Sequence, residues 1–337
     1  MTRRPLIIDA DPGIDDAIAI MMMQASGLFE FKGITAVHGN VPLEYTANNA
    51  LYLSELYGIN CPVAVGARRS MLVSLPKAAA VHGENGLGGF QYPSPAKSFH
   101  HKYAWDLIYD AALACEGELE LLATGPLTNI AIAALKYPLL RELIKHMVIM
   151  AGAARSGNVS PSAEFNVWQD PQAASVVLNF GFKNLTMVDL ECCYTGYLTE
   201  QEADRMLVVK SPLTRLFETM RLYKRKSERA LQKKGAGLGE FTEGRSVYCD
   251  AVAAAVMIEP ALCAAEPRYV FCETQSVLNF GQTIVDWNSR LGREPNVLLA
   301  RSVLRDRFKE LLFDSIDYYD REKTVLFDEK DTFDTER

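Results

Sequence analysis

The sequence predicts an α/β protein in which a doubly wound, mostly parallel sheet is flanked by helices within a single domain. Short apolar segments alternate along the chain with longer segments that show the 3.6-residue period of helices. Several of the short segments are apolar throughout, which is typical of parallel strands covered by helices on both faces. In folds of this kind, ligands bind beyond the carboxyl ends of the strands.

Each strand prediction depends on a short apolar run that ends at a polar or turn residue. Leu6–Ile8 ends at Asp9, and Leu119–Ala123 ends before Thr124-Gly125. In chain order, the predicted strands are Leu6–Ile8, Phe31–Val37, Leu119–Ala123, Met147–Met150, Leu185–Val188, Val270–Glu273 and Val297–Ala300.

Segments with a helical period follow most of these strands. The predicted helices are Asp15–Ala25, Leu43–Tyr57, Trp105–Cys115, Leu127–Leu135, Pro171–Asn179, Pro212–Leu231, Cys249–Ile258 and Ser302–Asp314. Gly235-Ala-Gly237-Leu-Gly239 is predicted to be a loop, because no strand precedes it and its spacing differs from a dinucleotide-binding fingerprint.

The composition restricts the class of protein and its partners. With 337 residues, 49% of them hydrophobic, the chain can bury one large core, and we predict a domain over residues 1–327 with a charged tail at 328–337. A net charge of −7 argues against a nucleic acid or an anionic membrane as partner, so a small neutral ligand is expected. Seven cysteines without CxxC spacing indicate reduced thiols and therefore a cytoplasmic protein. No apolar segment approaches the roughly 18 residues of a membrane span.

Four aspartates stand close together after the first predicted strand, in Asp9-Ala-Asp11-Pro-Gly-Ile-Asp15-Asp16. Their carboxylates would repel one another without a positive charge among them, and oxygen donors without a nearby Cys or His pair favour Ca²⁺ over zinc. Helix capping explains one or two of these acids but not four. An Asp-x-Asp pair after a first strand also resembles that of haloacid-dehalogenase-type phosphatases, but two further acids would repel a phosphate dianion.

These residues resemble the signature of the inosine-uridine-preferring nucleoside hydrolase family, and further matches follow in the family's order over about residues 5 to 260. The matching segments are Asp9 to Asp16, Val37-His38-Gly39-Asn40, His82-Gly83, Gly86-Leu87-Gly88-Gly89, Ala123 to Asn129, Met150, Gly152, Gly157-Asn158-Val159, Ala163-Glu164-Phe165-Asn166, Asp170-Pro171 and Cys249-Asp250-Ala251. The resemblance implies the nucleoside hydrolase fold and an N-glycosyl hydrolase that acts on ribonucleosides.

The resemblance also implies roles for individual residues. Calcium would be held by Asp11, Asp16, the backbone carbonyl of Thr124 and Asp250. The residues implied to contact or line the ribose are Asp15, Asn40, Met150, Asn158, Glu164, Phe165, Asn166 and Asp250, with Asp9 as structural support. Relatives are commonly homodimers or homotetramers, so the resemblance implies a homo-oligomer.

The chemistry needs these groups because cleavage of a ribosyl C–N bond passes through an oxocarbenium-like state. A calcium-bound water would attack the sugar, and Asp11 is the candidate general base. Many family members have a histidine at the position of Cys249, where it is thought to protonate the departing base. The candidates for activating the base in this chain are therefore Cys249 and His82.

Two other functions are open at the level of sequence. His82-Gly83-Glu84 mimics half of a zinc deaminase signature, but the Pro-Cys-x-x-Cys partner of that signature is absent. The replacement at Cys249 would also suit a nucleoside-binding protein or sensor with little turnover. A binding protein needs no candidate base beside the metal, so the intact acidic segment favours the enzyme.

Overall fold

The structure is a computed structural model that describes residues 2–73, 75–208, 213–233 and 244–321. Its strands are β1 (Arg4–Ala10), β2 (Phe29–Ala36), β3 (Val63–Val65), β4 (Leu119–Ala123), β5 (Ile144–Met150), β6 (Leu185–Val188), β7 (Leu198–Thr199), β8 (Arg245–Ser246), β9 (Cys263–Arg268), β10 (Val270–Cys272), β11 (Thr283–Val285) and β12 (Val297–Val303).

The α-helices are α1 (Ile14–Ala25), α2 (Leu43–Leu56), α3 (Ala79–His82), α4 (Ala104–Ala114), α5 (Thr128–Lys136), α6 (Leu140–Leu143), α7 (Phe165–Gln169), α8 (Pro171–Asn179), α9 (Leu190–Thr195), α10 (Glu200–Ala203), α11 (Thr214–Lys233), α12 (Cys249–Ile258) and α13 (Arg305–Arg321). Two 3₁₀ helices span Asp204–Val208 and Pro260–Leu262.

The central sheet has the strand order β3-β2-β1-β4-β5-β6-β12-β9. All its neighbouring strands are parallel except β9, which pairs with β12 in the antiparallel sense. The chain builds the sheet outward from β1 in one direction and from β4 in the other. The crevice beyond the carboxyl ends of β1 and β4 is therefore the topological switch point, where doubly wound sheets bind their ligands.

Alternation of side chains along the strands divides the core between the two faces of the sheet. Ile8 and Leu122 belong to the cluster on one face, whereas Ile7 and Leu121 belong to the cluster on the other. Because helices cover both faces, the central strands are apolar at every position, as in the fully buried β4. On the first face α1 packs against α12, a helix in which eight of ten residues are buried.

The predicted fold class is confirmed, and several elements have the predicted bounds, such as β4 and α12. The prediction of a helix from Ser302 is wrong, because Ser302 and Val303 continue β12 by pairing with β9. The segment predicted as the strand Val270–Glu273 forms β10, which lies in a separate hairpin with β11. The edge strand β9 was not predicted, since its sequence CAAEPR is neither apolar nor alternating.

Three sequence predictions fall partly or wholly outside the described residues. These are the loop at Gly235 to Gly239, the start of a helix at Pro212, and the tail at 328–337. Within the described ranges, no helix combines the length and the apolar character needed to cross a membrane.

Candidate active site

The acidic segment turns from β1 into α1 at the switch point. Gly13 is the residue before the helix, and its backbone N–H donates a hydrogen bond to Oδ2 of Asp16 at 2.9 Å. Asp15 and Asp16 thus lie in the first turn of α1, where the positive end of the helix dipole favours carboxylates. Asp250 occupies the corresponding position in α12, so the amino ends of two packed helices bring their acids together.

Asp9 lies inside β1 and is fully buried away from the other acids. Its Oδ1 accepts hydrogen bonds from the Thr35 hydroxyl on β2 and from the Asn129 side chain on α5. Burial raises the pKa of Asp9 to about 7, although these two hydrogen bonds act to lower it. Its contacts link β1 to its neighbours, as expected of a supporting residue.

Asp11 follows β1 and is almost fully buried. Its Oδ2 accepts the backbone N–H of Asn40 at 2.6 Å, whereas its Oδ1 is buried without a hydrogen-bond partner in the described structure. Gly39 leaves room for this carboxylate, because a Cβ there would lie 1.9 Å from Oδ2. Burial, followed by the charge of Asp16, raises the pKa of Asp11 well above its usual range.

Three further carboxylates form a compact group. One oxygen atom from each of Asp15, Asp16 and Asp250 lies within 4.8 Å of the other two. Burial raises the pKa of Asp16 to about 7, and burial together with Asp15 raises the pKa of Asp250 well above its usual range. Buried acids at this spacing need a positive charge among them, and a set of hard oxygen donors fits Ca²⁺.

This group differs in one member from the calcium ligands implied by the sequence. It contains Asp15, whereas Asp11 lies beside the group and raises the pKa of Asp250 through its charge. Thr124 follows β4, directly across the switch point, and its hydroxyl donates to Oδ1 of Asp16 at 2.8 Å. The structure therefore brings together Asp11 and Asp16, Thr124 and Asp250 from three separate segments of the chain.

The residues implied to bind ribose surround the same point. Asn40 donates from its side-chain nitrogen to the Asp11 carbonyl at 3.1 Å and to Asp16 Oδ2 at 3.2 Å. The side-chain nitrogen of Asn166 donates to the carbonyls of Thr124 at 2.8 Å and Met150 at 3.0 Å. Asn166 is thereby oriented across the carboxyl ends of β4 and β5.

Glu164 is buried and caps the amino end of α7. Its Oε1 accepts the Asn166 N–H at 2.8 Å, and its Oε2 accepts the N–H groups of Gly152 and Val167. Burial raises the pKa of Glu164 to about 7. Phe165 is half-buried, while Asn158 is exposed and accepts the Phe165 N–H through its Oδ1 at 2.9 Å. Asn158 thus lies at the outer end of the predicted ribose set.

His82 is the last residue of the short helix α3, and the glycine-rich segment from Gly83 to Gly89 follows it directly. Its Nδ1 accepts the Ile14 N–H at 3.2 Å, so the ring is neutral and carries its proton on Nε2. Nδ1 also lies 3.8 Å from Asp15. Burial lowers the pKa of His82 to about 4, against the raising effect of Asp15.

Cys249 begins α12 beside Asp250 and is half-buried. Its backbone carbonyl accepts the thiol of Cys193 on α9 at 3.8 Å. Two residues near Cys249 were not predicted to lie in the site, namely Tyr248 and Lys224. The Lys224 ammonium lies 5.0 Å from the centre of the Tyr248 ring.

Lys224 belongs to a largely charged run on α11, from Lys224 to Arg229, whose composition is typical of a solvated helical face. Its side chain is instead only 14% exposed, and Nζ lies 3.4 Å from Oε1 of Glu228 one turn later. Burial acts to lower the pKa of Lys224, but Glu228, Tyr248 and Asp15 outweigh it and raise the pKa. The strong amphipathic period of α11 was the signal that one of these lysines faces inward.

Comparisons with known proteins agree with this geometry. Residues 6–310 match the family described as inosine-uridine preferring nucleoside hydrolase. The chain is 33% identical over 301 residues to the non-specific ribonucleoside hydrolase RihC of Klebsiella pneumoniae, with 89% of this chain and 94% of that protein covered. It is also 33% identical over 321 residues to the pyrimidine-specific ribonucleoside hydrolase RihA of a Shewanella species, covering 94% and 97%.

Solved structures of similar fold include the purine-preferring ribonucleoside hydrolase of Gardnerella vaginalis, with a TM-score of 0.86, 27% identity, and coverage of 94% of this chain and 99% of that one. The sheet and its acidic cluster define an α/β enzyme whose ligand site lies at a topological switch point. The chain belongs to the inosine-uridine preferring nucleoside hydrolase family, whose members are metal-dependent N-glycosidases.

Proposed function

We propose that this protein hydrolyses the N-glycosidic bond of ribonucleosides in a calcium-dependent reaction that yields ribose and a free purine or pyrimidine base. The observation that carries the proposal is the carboxylate group at the switch point, with the unpartnered Oδ1 of Asp11 beside it. Family membership and the named activities of the relatives support it.

Calcium would be held by Asp11, Asp16, Asp250 and the carbonyl of Thr124. All four are oxygen donors in or beside the acidic cluster, and Asp16 and Asp250 have raised pKa values that a bound cation would lower. When bound, the ion would supply positive charge that orients ribose hydroxyls and lowers the pKa of a coordinated water.

Asp11 would act as the general base. Its Oδ2 is held by the Asn40 N–H, so the buried Oδ1 is the atom that can accept a proton from the attacking water. The hydroxyl of that water joins C1′, and the electron pair of the C1′–N bond leaves with the base. The neighbouring carboxylates would stabilise the positive charge that develops on the sugar.

The ribose would be oriented by groups that are already fixed in place. The Asn166 nitrogen is engaged by two carbonyls, which leaves its side-chain oxygen to accept a hydrogen bond from a hydroxyl. Asp15, Asn40, Asn158 and Glu164 would supply further contacts. Phe165, Met150 and Asp250 would complete the ribose-binding set. A 2′-deoxynucleoside would leave buried partners unpaired and should be a poor substrate.

His82 and Cys249 would activate the leaving base. His82 can donate a hydrogen bond from Nε2 while remaining neutral, because Nδ1 already accepts the Ile14 N–H. We interpret Cys249 as the replacement of the histidine found at this position in many family members. The Cys249 thiol would then donate to the base the proton that the histidine donates in those relatives.

The first prediction is that the protein releases ribose from uridine, cytidine, inosine or adenosine, that a calcium chelator abolishes release, and that added Ca²⁺ restores it. Asp11→Asn should lower kcat by about 10³-fold, because proton transfer to a positioned base typically contributes this much. Glu118→Gln, at an exposed carboxylate, is the matched control and should be unaffected.

Ribose release from none of the four nucleosides would refute hydrolysis and leave the nucleoside-binding alternative. Release that survives chelation would refute the metal assignment. Cys249→Ala tests the thiol in the same assay, and a proton donor there predicts a loss in kcat of about 10²-fold. An undiminished rate would remove the thiol from the mechanism.

We also propose a cytoplasmic location and a homodimer or homotetramer. All seven cysteines are free in the structure, which suits a reducing compartment. The oligomer is proposed from the resemblance to the family and can be measured by light scattering.

A further inference from the structure

We propose that Lys224 contacts the leaving base and stabilises the negative charge that develops on it as the glycosidic bond breaks. The inference rests on the proposed nucleoside hydrolysis and assigns a role to a residue on α11. Its starting point is a buried ammonium group among residues that face both sides of the scissile bond.

The surroundings of Lys224 define which part of the substrate it would meet. The Lys224 ammonium lies 5.0 Å from the centre of the Tyr248 ring, and Tyr248 directly precedes Cys249 in the chain. The positive charge of Lys224 also interacts with the Asp15 carboxylate. Asp15 is assigned to the ribose, whereas Cys249 is assigned to the base. An ammonium group in this position would meet the nucleoside close to the glycosidic bond, on the side where the base departs.

The packing of α11 holds Lys224 in this position. The Tyr223 hydroxyl donates to the Ala79 carbonyl at 3.1 Å, and the Ser227 hydroxyl donates to the Ala80 carbonyl at 2.7 Å. Both acceptors belong to α3, the helix that ends at His82. The side of α11 that carries Lys224 is therefore attached to the helix that carries the other base-activating candidate.

Burial of the Lys224 ammonium is not needed for its ion pair with Glu228. Pairs four residues apart on a helix form equally well on a solvated face, where no desolvation cost opposes them. Here the side chain of Lys224 is less exposed than that of Glu228, at 14% against 28%. Glu228, Tyr248 and Asp15 together outweigh the cost of burial, and of these Tyr248 is itself buried and directly precedes Cys249.

The charge balance of the reaction explains the use of such a group. When the C1′–N bond breaks, its electron pair moves onto the base, while the hydroxyl of water joins C1′. A fixed ammonium that donates a hydrogen bond to an acceptor atom of the base lowers the energy of this charge before the base gains its proton. Lys224 keeps its own proton throughout, and the proton released by water balances the one that the base acquires.

The test compares two kinds of leaving group in the intact protein with Ca²⁺ present. Natural nucleosides depart as poorly stabilised anions, whereas 4-nitrophenyl β-D-ribofuranoside releases a phenolate that needs no help. Lys224→Met should lower kcat for inosine and uridine by about 10²-fold, the usual cost of losing one such donor. Its kcat for the nitrophenyl riboside should stay within about threefold of wild type.

Two further variants sharpen the comparison. Lys224→Arg keeps the positive charge and should recover most of the rate on natural nucleosides. Lys226→Met removes an exposed lysine from the same helix, two residues away, and should match wild type on both substrates. Because the nitrophenyl riboside also reports on an intact ribose site, a variant that fails to fold loses activity on both substrates, and Lys224→Gln, which also removes the charge, then takes its place in the comparison.

The outcomes distinguish a failure of this inference from a failure of the proposed nucleoside hydrolysis on which it rests. A wild-type protein that cleaves none of these substrates refutes the proposed function and the inference together. A wild-type protein that is active, with Lys224→Met slowing both leaving groups equally, makes Lys224 a positioning residue and overturns the inference. Equal rates for wild type and Lys224→Met on natural nucleosides overturn it as well.

Discussion

Asp9 and Asp11 lie two residues apart in the chain but have different surroundings in the fold. The side chain of Asp9 points from β1 toward Thr35 and Asn129, which engage its Oδ1. Asp11 lies just past the strand, and its Oδ2 accepts the Asn40 N–H. Each of the two aspartates has its other oxygen buried without a hydrogen-bond partner in the described structure, but only Asp11 is affected by the charges of Asp15 and Asp16. The same residue type is therefore suited to structural support at one position and to chemistry at the other.

His38 is the residue whose environment most directly predicts a pH effect on stability. It is fully buried, its Nδ1 lies 3.0 Å from Lys77 Nζ, and its Nε2 lies 3.2 Å from the Thr128 hydroxyl. An ammonium only donates, so Nδ1 accepts and the ring is neutral. Burial, followed by the charge of Lys77, lowers the pKa of His38 to about 3 from the ordinary 6.5.

The unfolded chain therefore binds a proton at His38 at a higher pH than the folded chain does. The stability that the neutral, buried His38 contributes to the fold is lost as pH falls from 6.5 toward 3. We expect this effect to lower the free energy of unfolding of the wild type by about 2 kcal/mol when the pH falls from 7 to 5. His38→Gln should remove this difference, measured by urea unfolding with metal chelated. His101→Gln, at an exposed histidine, should keep the wild-type slope, and an identical slope in His38→Gln would contradict the assignment.

At the scale of elements, α11 packs between α3 and the segments that carry α10 and β8. The guanidinium of Arg221, near its middle, is fully buried. It pairs with Glu200 on α10 at 2.8 Å and with Asp204 at 2.9 Å, and it donates to the Ser246 hydroxyl on β8 at 2.9 Å. These contacts hold α11 from one side while α3 holds it from the other.

Arg221→Met should therefore loosen α11 selectively. The expected loss in unfolding free energy is about 3 kcal/mol. This value is the lower end of the usual cost of removing one partner of a buried ion pair, because the remaining carboxylates of Glu200 and Asp204 are partly exposed. Hydrogen exchange should speed up in residues 214–233 more than in β1 or β4. Arg229→Met, at an exposed position of the same helix, is the control, and uniform exchange across the protein would argue against a local anchor.

At the scale of the whole molecule, the acidic cluster joins parts of the chain that are far apart in sequence. Asp16 lies in the first long helix of the chain, Thr124 follows β4, and Asp250 lies in α12, more than 120 residues further on. A cation bound among them would link these segments in the folded state alone. Its binding free energy would then add to the stability of the whole fold.

We accordingly expect Ca²⁺ to raise the melting temperature in proportion to the logarithm of its concentration, with about 2.7 kcal/mol of added stability at one hundred times its Kd. Asp250→Asn should abolish the shift, and Glu118→Gln should leave it intact. Calorimetry with and without chelator measures both. A melting temperature that does not respond to Ca²⁺, in a protein that still cleaves nucleosides, would refute the calcium site.

The fold class could be predicted from the sequence, and the candidate site residues could be named from it, because their signals are local. Apolar runs predict strands that are buried on both faces, and the acidic segment from Asp9 to Asp16 consists of eight consecutive residues. The limits of prediction appear where neighbours decide the conformation. Ser302 and Val303 extend β12 because they pair with β9. The sequence of β9 has no local pattern that predicts a strand.

The sequence by itself determined the class of protein, the α/β architecture and the set of acids and amides available for metal and sugar. Only the tertiary structure decided how the acids divide, because the distances among Asp11, Asp15 and Asp250 depend on where α1 and α12 pack. It also decided that Lys224 turns inward. In the sequence, Lys224 is one of three basic residues in a row, and the packing of α11 in the fold makes Lys224 the least exposed of the three.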